Sequence, residues 1–121
     1  MTTDNPSTER GVLDDELLDE LREDMKDEFG EVIEAFLDEI PAWLETMKEA
    51  LSGGDAERLF QTAHALKSSS GYMGAPVMQQ LAAQLERMGR EGKIDGCEPF
   101  LAELIEEFEA LEPRLKELAA S

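Results

Sequence analysis

Histidine and cysteine each occur once in this chain of 121 residues, as do tryptophan and tyrosine. Cys97 therefore has no partner for an intrachain disulfide, so packing must hold the fold, and a reducing compartment is compatible with it. One histidine and one distant cysteine give no zinc-ligand spacing, and the Glu-x-x-His pairs of di-iron bundles are missing, so no metal centre or cofactor is expected within the chain. Neither a Walker-type glycine loop nor a kinase motif is present, which argues against ATP binding and self-phosphorylation. Apolar runs stay far short of the ~20 residues that span a bilayer, and the opening residues lack the basic and apolar regions of a secretory signal; a cytoplasmic location is the expectation. Basic residues are scarce too, 11 Lys and Arg against 29 Asp and Glu, for a net charge of −18. Nucleic acid and anionic membrane surfaces are thereby disfavoured as partners, because both demand a basic footprint.

The chain holds 41% hydrophobic and 33% charged residues, an ordinary globular balance at a length suited to one domain. Strand signals are absent, and the fold class expected is all-α. Residues 1–12 are polar and without apolar period, which predicts a flexible N-terminal arm ahead of a folded domain over 13–121. A short helix is expected over 14–27, burying Leu17, Leu18, Leu21 and Met25, with Gly30 as a candidate for its punctuation. A second over 31–51 carries Ile33, Phe36, Ile40, Trp43, Met47 and Leu51 at alternating three- and four-residue steps; Pro41 should kink or restart it. Ser52-Gly53-Gly54 breaks the chain, Asp55 suits the N-cap of a third helix running to about Met73, and Gly74 suits its end. Pro76 opens a fourth with Val77, Met78, Leu81, Leu85 and Met88 inward, followed by a glycine-rich loop over 89–96. Pro99 opens a fifth, striped by Leu101, Leu104, Phe108, Leu111, Leu115 and Leu118, with Pro113 predicting a late bend or break. Four long helices on short loops predict an antiparallel up-down-up-down four-helix bundle, with the additional short N-terminal helix covering one end and a monomer sufficing.

The charge is unevenly spread: residues 55–98 carry 6 acidic and 5 basic side chains, the remainder 23 and 6. His64 lies in that nearly neutral part. On the third helix Leu59, Ala63, Leu66, Ser70 and Met73 fall within one narrow arc, and His64 points roughly 140° from its centre, toward solvent. Gln61, Ser68 and Gly71 share its outward face, which is polar and of low relief, as a docking site for another protein's loop requires. Gly71 has a second reading, tight packing on a neighbouring helix or early fraying. Imidazole is a competent nucleophile near neutral pH, and Lys67, three residues on, can steady phosphoryl oxygens by charge. No carboxylate stands three or four residues from His64 on its own helix to make it a triad base, so hydrolase chemistry is poorly supported. Two functions compete: a phosphoryl carrier through His64, and an interaction bundle that binds a signalling partner without carrying phosphate.

Ala63-His64-Ala65-Leu66-Lys67-Ser68-Ser69-Ser70, with Gly74-Ala75 after it, resembles the signature of histidine-containing phosphotransfer domains. Phe36-Leu37, Pro41, Gly54-Asp55, Leu85-Glu86, Gly89-Arg90 and Gly92 extend the similarity over roughly 13–118. The resemblance implies a four-helix bundle with an added N-terminal helix, with His64 as the phosphorylated residue and Lys67 as its electrostatic helper. It also implies response-regulator receiver domains or a hybrid sensor histidine kinase as partners, the receiver bringing the aspartate and Mg²⁺. Ser68 stands where most members have glycine. Its hydroxymethyl group either hinders the receiver slightly or bonds back to the His64 carbonyl or the phosphoryl group.

Overall fold

The computed structural model describes residues 10–121. Asp14 starts the first helix, α1 (Asp15–Met25), by accepting the amide of Leu17 on its side chain, an N-cap that satisfies one of the orphan donors. Lys26 ends it with a φ of 50°, the only positive φ among described non-glycine residues, and a single 3-10 turn, Lys26–Glu28, leads into α2 (Phe29–Gly53). Gly30 therefore does not punctuate α1. It lies in the first turn of α2, where a Cβ would stand 2.8 Å from the carbonyl oxygen of Ala119, so its smallness lets two helices meet.

Gly54, left-handed at φ 69°, caps α2, and the Asp55 carboxylate accepts the Arg58 amide to begin α3 (Ala56–Tyr72), as the sequence predicts. Gly74 turns the chain and α4 (Pro76–Arg90) follows with proline in its first turn. The expected loop from residue 89 begins later, because Gly89 is buried inside α4; residues 91–97 connect to α5 (Glu98–Ala120).

Neither internal proline breaks its helix. Pro41 and Pro113 both sit on exposed positions, where the ring meets solvent. A helix-interior proline costs ~3 kcal/mol, whereas burying each large apolar side chain returns ~1.5–3 kcal/mol. Ile33, Phe36, Ile40, Leu44 and Met47 around the first, and Leu111 and Leu115 around the second, outweigh the loss.

The stripes pack as α2 on α3, α3 on α4, α4 on α5 and α5 back on α2, closing an antiparallel bundle. Leu59, Ala63, Leu66, Ser70 and Met73 are buried as expected, while Trp43 and Leu51 sit half-buried at the edge and Leu44 and Ala50 take core positions. α1 lies at the end of the bundle holding the α3–α4 turn: the Asp14 amide donates to the Gly74 carbonyl, and Tyr72 Oη to Met25 Sδ. Residues 1–9 of the expected arm lie outside the described residues. Gly11 and Val12 both donate amides at 2.9 Å to the carboxylate of the fully buried Glu107, and Arg114 donates to the Gly11 carbonyl, so this stretch is fastened to α5.

Candidate functional site

The site forms where α3 and α4 pack against each other. A Cβ on Gly89 would lie 2.8 Å from the backbone nitrogen of Phe60, a contact only glycine allows, and it lets the C-terminal end of α4 pack closely against the first turns of α3. His64 stands on the outward face of α3 with 59% of its side chain exposed, as its helical angle predicts. Directly under it is Glu86, a carboxylate only 4% exposed.

Glu86 divides its two oxygens. Oε2 lies 2.6 Å from His64 Nδ1, and Oε1 lies 2.6 Å from Lys67 Nζ. Arg90, one turn further along α4, places Nη2 3.5 Å from Oε2 and its guanidinium 5.3 Å over the Phe60 ring, which sits beside His64 at 6.3 Å between centroids. The hydrogen bond from Lys67 holds the Glu86 carboxyl below its ordinary range, helped by the His64 bond and by both positive charges, and this exceeds the opposing effect of burial. Glu86 is thus ionised at neutral pH and can only accept. The neutral imidazole must carry its proton on Nδ1, leaving the lone pair on Nε2.

The carboxylate that α3 lacks around His64 is therefore supplied by α4. It orients the ring much as a triad acid would, yet among the described residues no serine hydroxyl is bonded to His64, so no acyl-transfer triad is assembled. Glu86 is the residue that helical bookkeeping on α3 missed. A signal existed: it sits between Leu85 and Gly89 on the buried side of α4, where an unpaired carboxylate would be costly.

The three docking candidates separate. Gln61 is exposed and donates from Nε2 to Glu57 at 2.8 Å. Ser68 is exposed and helps line a groove of about 340 Å³ between α2 and α3, walled by Val32, Phe36, Ser69, Tyr72 and Met73, with Tyr72 52% exposed. Gly71 is half-buried, and a Cβ there would meet Gln79 Nε2, so it seats a side chain of α4 against α3. The atoms nearest that position are all the flexible end of the exposed Gln79 side chain, which can shift, so tight packing on a neighbouring helix does not require this glycine. Cys97 is buried at the start of α5, and burial, with Asp95 nearby, pushes its thiol pKa up. Among the described residues no group of three or more potential metal ligands occurs, and no helix is long and apolar enough to cross a membrane.

By its similarities, the all-helical bundle that carries this site falls among phosphotransfer domains. Residues 31–114 match the Hpt domain family, and the chain belongs to it. The crystal structure of histidine-containing phosphotransfer protein B (HptB) from Pseudomonas aeruginosa PAO1 is similar at 30% identity and a TM-score of 0.86, over 89% of this chain and 94% of that one. The HPT domain of a sensor hybrid histidine kinase from Shewanella is similar at 25% identity and a TM-score of 0.76, over 89% and 93%. The signal transduction histidine-protein kinase BarA of Shigella flexneri is 34% identical over 80 residues, which are 65% of this chain but 9% of that kinase. Domains of this family are phosphotransfer carriers rather than catalytic enzymes.

Proposed function

We propose that the chain is a phosphorelay intermediate of two-component signalling, taking a phosphoryl group onto His64 from one receiver-domain aspartate and passing it to another. The observation that carries this reading is the bond from His64 Nδ1 to Glu86, which leaves Nε2 as the available nucleophile on an exposed side chain whose carboxylate partner also holds the Lys67 ammonium. In the forward step Nε2 attacks phosphorus in line; the P–Nε2 bond forms as the P–O bond breaks, and aspartate leaves as a carboxylate. Lys67 shifts charge toward the phosphoryl oxygens, and the receiver brings the acyl phosphate and Mg²⁺. This chain is carrier and substrate, not the complete enzyme, and it works as a cytoplasmic monomer.

Docking uses the outward face of α3, with Gln61 and Ser68 on either side of His64 and Gly71 keeping the far end low. Near-neutral charge over this part of an otherwise acidic chain supports it, since a phosphorylated partner meets less repulsion there. The decisive experiment incubates the protein with a phosphorylated receiver and Mg²⁺. Wild type acquires acid-labile label and His64→Gln does not; label on the variant would sink the assignment. The rival reading, a non-phosphorylated interaction module, predicts receiver binding that survives His64→Gln with no phosphohistidine in either protein.

A further inference from the structure

In the resting protein Nδ1–H meets Glu86 as donor to acceptor. Phosphorylation of Nε2 reverses that match, because a neutral N-substituted imidazole keeps a bare lone pair on its other nitrogen. Glu86 Oε2 would then face this lone pair across 2.6 Å, acceptor against acceptor, with the carboxylate buried and unable to turn to water. Moving the proton to Glu86 would weaken its bonds with Lys67 at 2.6 Å and Arg90 at 3.5 Å. Moving the ring away would leave Oε2 of a buried carboxylate with only the longer Arg90 contact at 3.5 Å. A proton kept on Nδ1 preserves all three contacts.

We propose, resting on the carrier reading above, that Glu86 retains the Nδ1 proton throughout the transfer cycle, so that the phosphohistidine of this chain is a phosphoimidazolium, reactive and short-lived. Glu86 acts as a positioning residue through His64. When Nε2 attacks phosphorus, Nδ1 already bears its hydrogen, so the ring becomes cationic at once and no base has to remove a proton. On departure the P–Nε2 bond breaks, its electron pair returns to Nε2, and a neutral imidazole with Nδ1–H leaves. With water as acceptor the products are that imidazole and dihydrogen phosphate, so charge and atoms balance. The charged groups bonded around the ring are Lys67 from α3 and Glu86 and Arg90 from α4; Glu57, two turns before His64, is bonded to Gln61. An amide at position 86 would differ in kind, since its NH₂ can donate to a bare Nδ1 and so sustain the neutral phosphoimidazole, a poorer leaving group.

The test loads the full chain with a small-molecule phosphoramidate, which needs neither receiver nor Mg²⁺, and follows hydrolysis by phosphorus NMR across pH in wild type and Glu86→Gln. Wild type is expected to lose its phosphoryl group about tenfold faster above neutral pH, its rate declining about one pH unit later than the variant's. Equal rates with coincident pH profiles would overturn the inference. Should the variant be distorted, ¹⁵N-histidine labelling of phosphorylated wild type decides alone: a protonated Nδ1 above neutral pH supports the inference, and a bare one overturns it. Failure of the carrier reading looks different, because His64 would then take no phosphoryl group at all, and the inference would fall with it.

Discussion

Glu86 and Glu107 are both carboxylates withdrawn from water into the same bundle, on adjacent helices, and they are satisfied by opposite means. Glu107 on α5 is held by two backbone amides, of Gly11 and Val12, groups that neither titrate nor swing away. Glu86 on α4 is held by side chains that reach the surface: His64, Lys67 and Arg90. The first is a fastening that fixes the entry of the chain onto α5. The second is a buried charge whose partners can be engaged from outside, which is what a site that receives and releases a charged group requires. Burial of a charge alone thus marks neither stability nor function; the kind of partner does.

Substitutions should separate the two. The largest effect is expected from Lys67→Met, which removes the ammonium that shares Glu86 with His64: phosphotransfer from a receiver should fall about tenfold to a hundredfold while the fold is retained. Stopped-flow or gel-based transfer rates check this, and a wild-type rate would remove Lys67 from the chemistry. Glu107→Gln should do the converse, leaving one buried amide poorly matched at ~1–3 kcal/mol. Thermal melting should fall on the order of 5 °C with transfer unchanged; a transfer defect at full stability would erase the distinction between the two glutamates.

Acid titration gives a smaller effect. The Glu86 carboxyl titrates lower in the fold than its ordinary 4.5, so the unfolded chain binds the extra proton first. Its contribution is complete above that value and is lost as pH falls through the folded value. Melting curves of wild type and Glu86→Gln should therefore converge below the ordinary glutamate range, and parallel curves would show that ionisation of Glu86 contributes nothing to stability. Least of all is expected from Ser68→Gly: stability within about 0.5 kcal/mol of wild type, and transfer equal or faster. A large loss of transfer would mean that the hydroxyl takes part rather than obstructs.

The face of α3 was legible from one helix alone, because Leu59, Ala63, Leu66 and Ser70 repeat at the helical period and leave His64 opposite them. What lay beneath it was not, since Glu86 comes from 22 residues away and the contact depends on how closely two helices meet. Gly89 sets that approach, yet in sequence a glycine that admits a neighbouring backbone looks the same as one that ends a helix; Gly30 misleads for the same reason. Pro41 and Pro113 mislead differently, because the local loss they bring is real and is overridden by burial of their neighbours across the bundle. The similarity around Leu85-Glu86 was a pointer to the missing carboxylate. Its role became readable only with Nδ1 and Nζ on either side of it.

Glu86 fixes His64 with Nδ1 protonated and Nε2 bare. Long-range ¹H–¹⁵N correlation of the single imidazole in the unphosphorylated protein, above neutral pH, reads this directly. A protonated Nδ1 with a lone-pair Nε2 is the predicted result; a predominant Nε2–H tautomer, or an even mixture of the two, would contradict it.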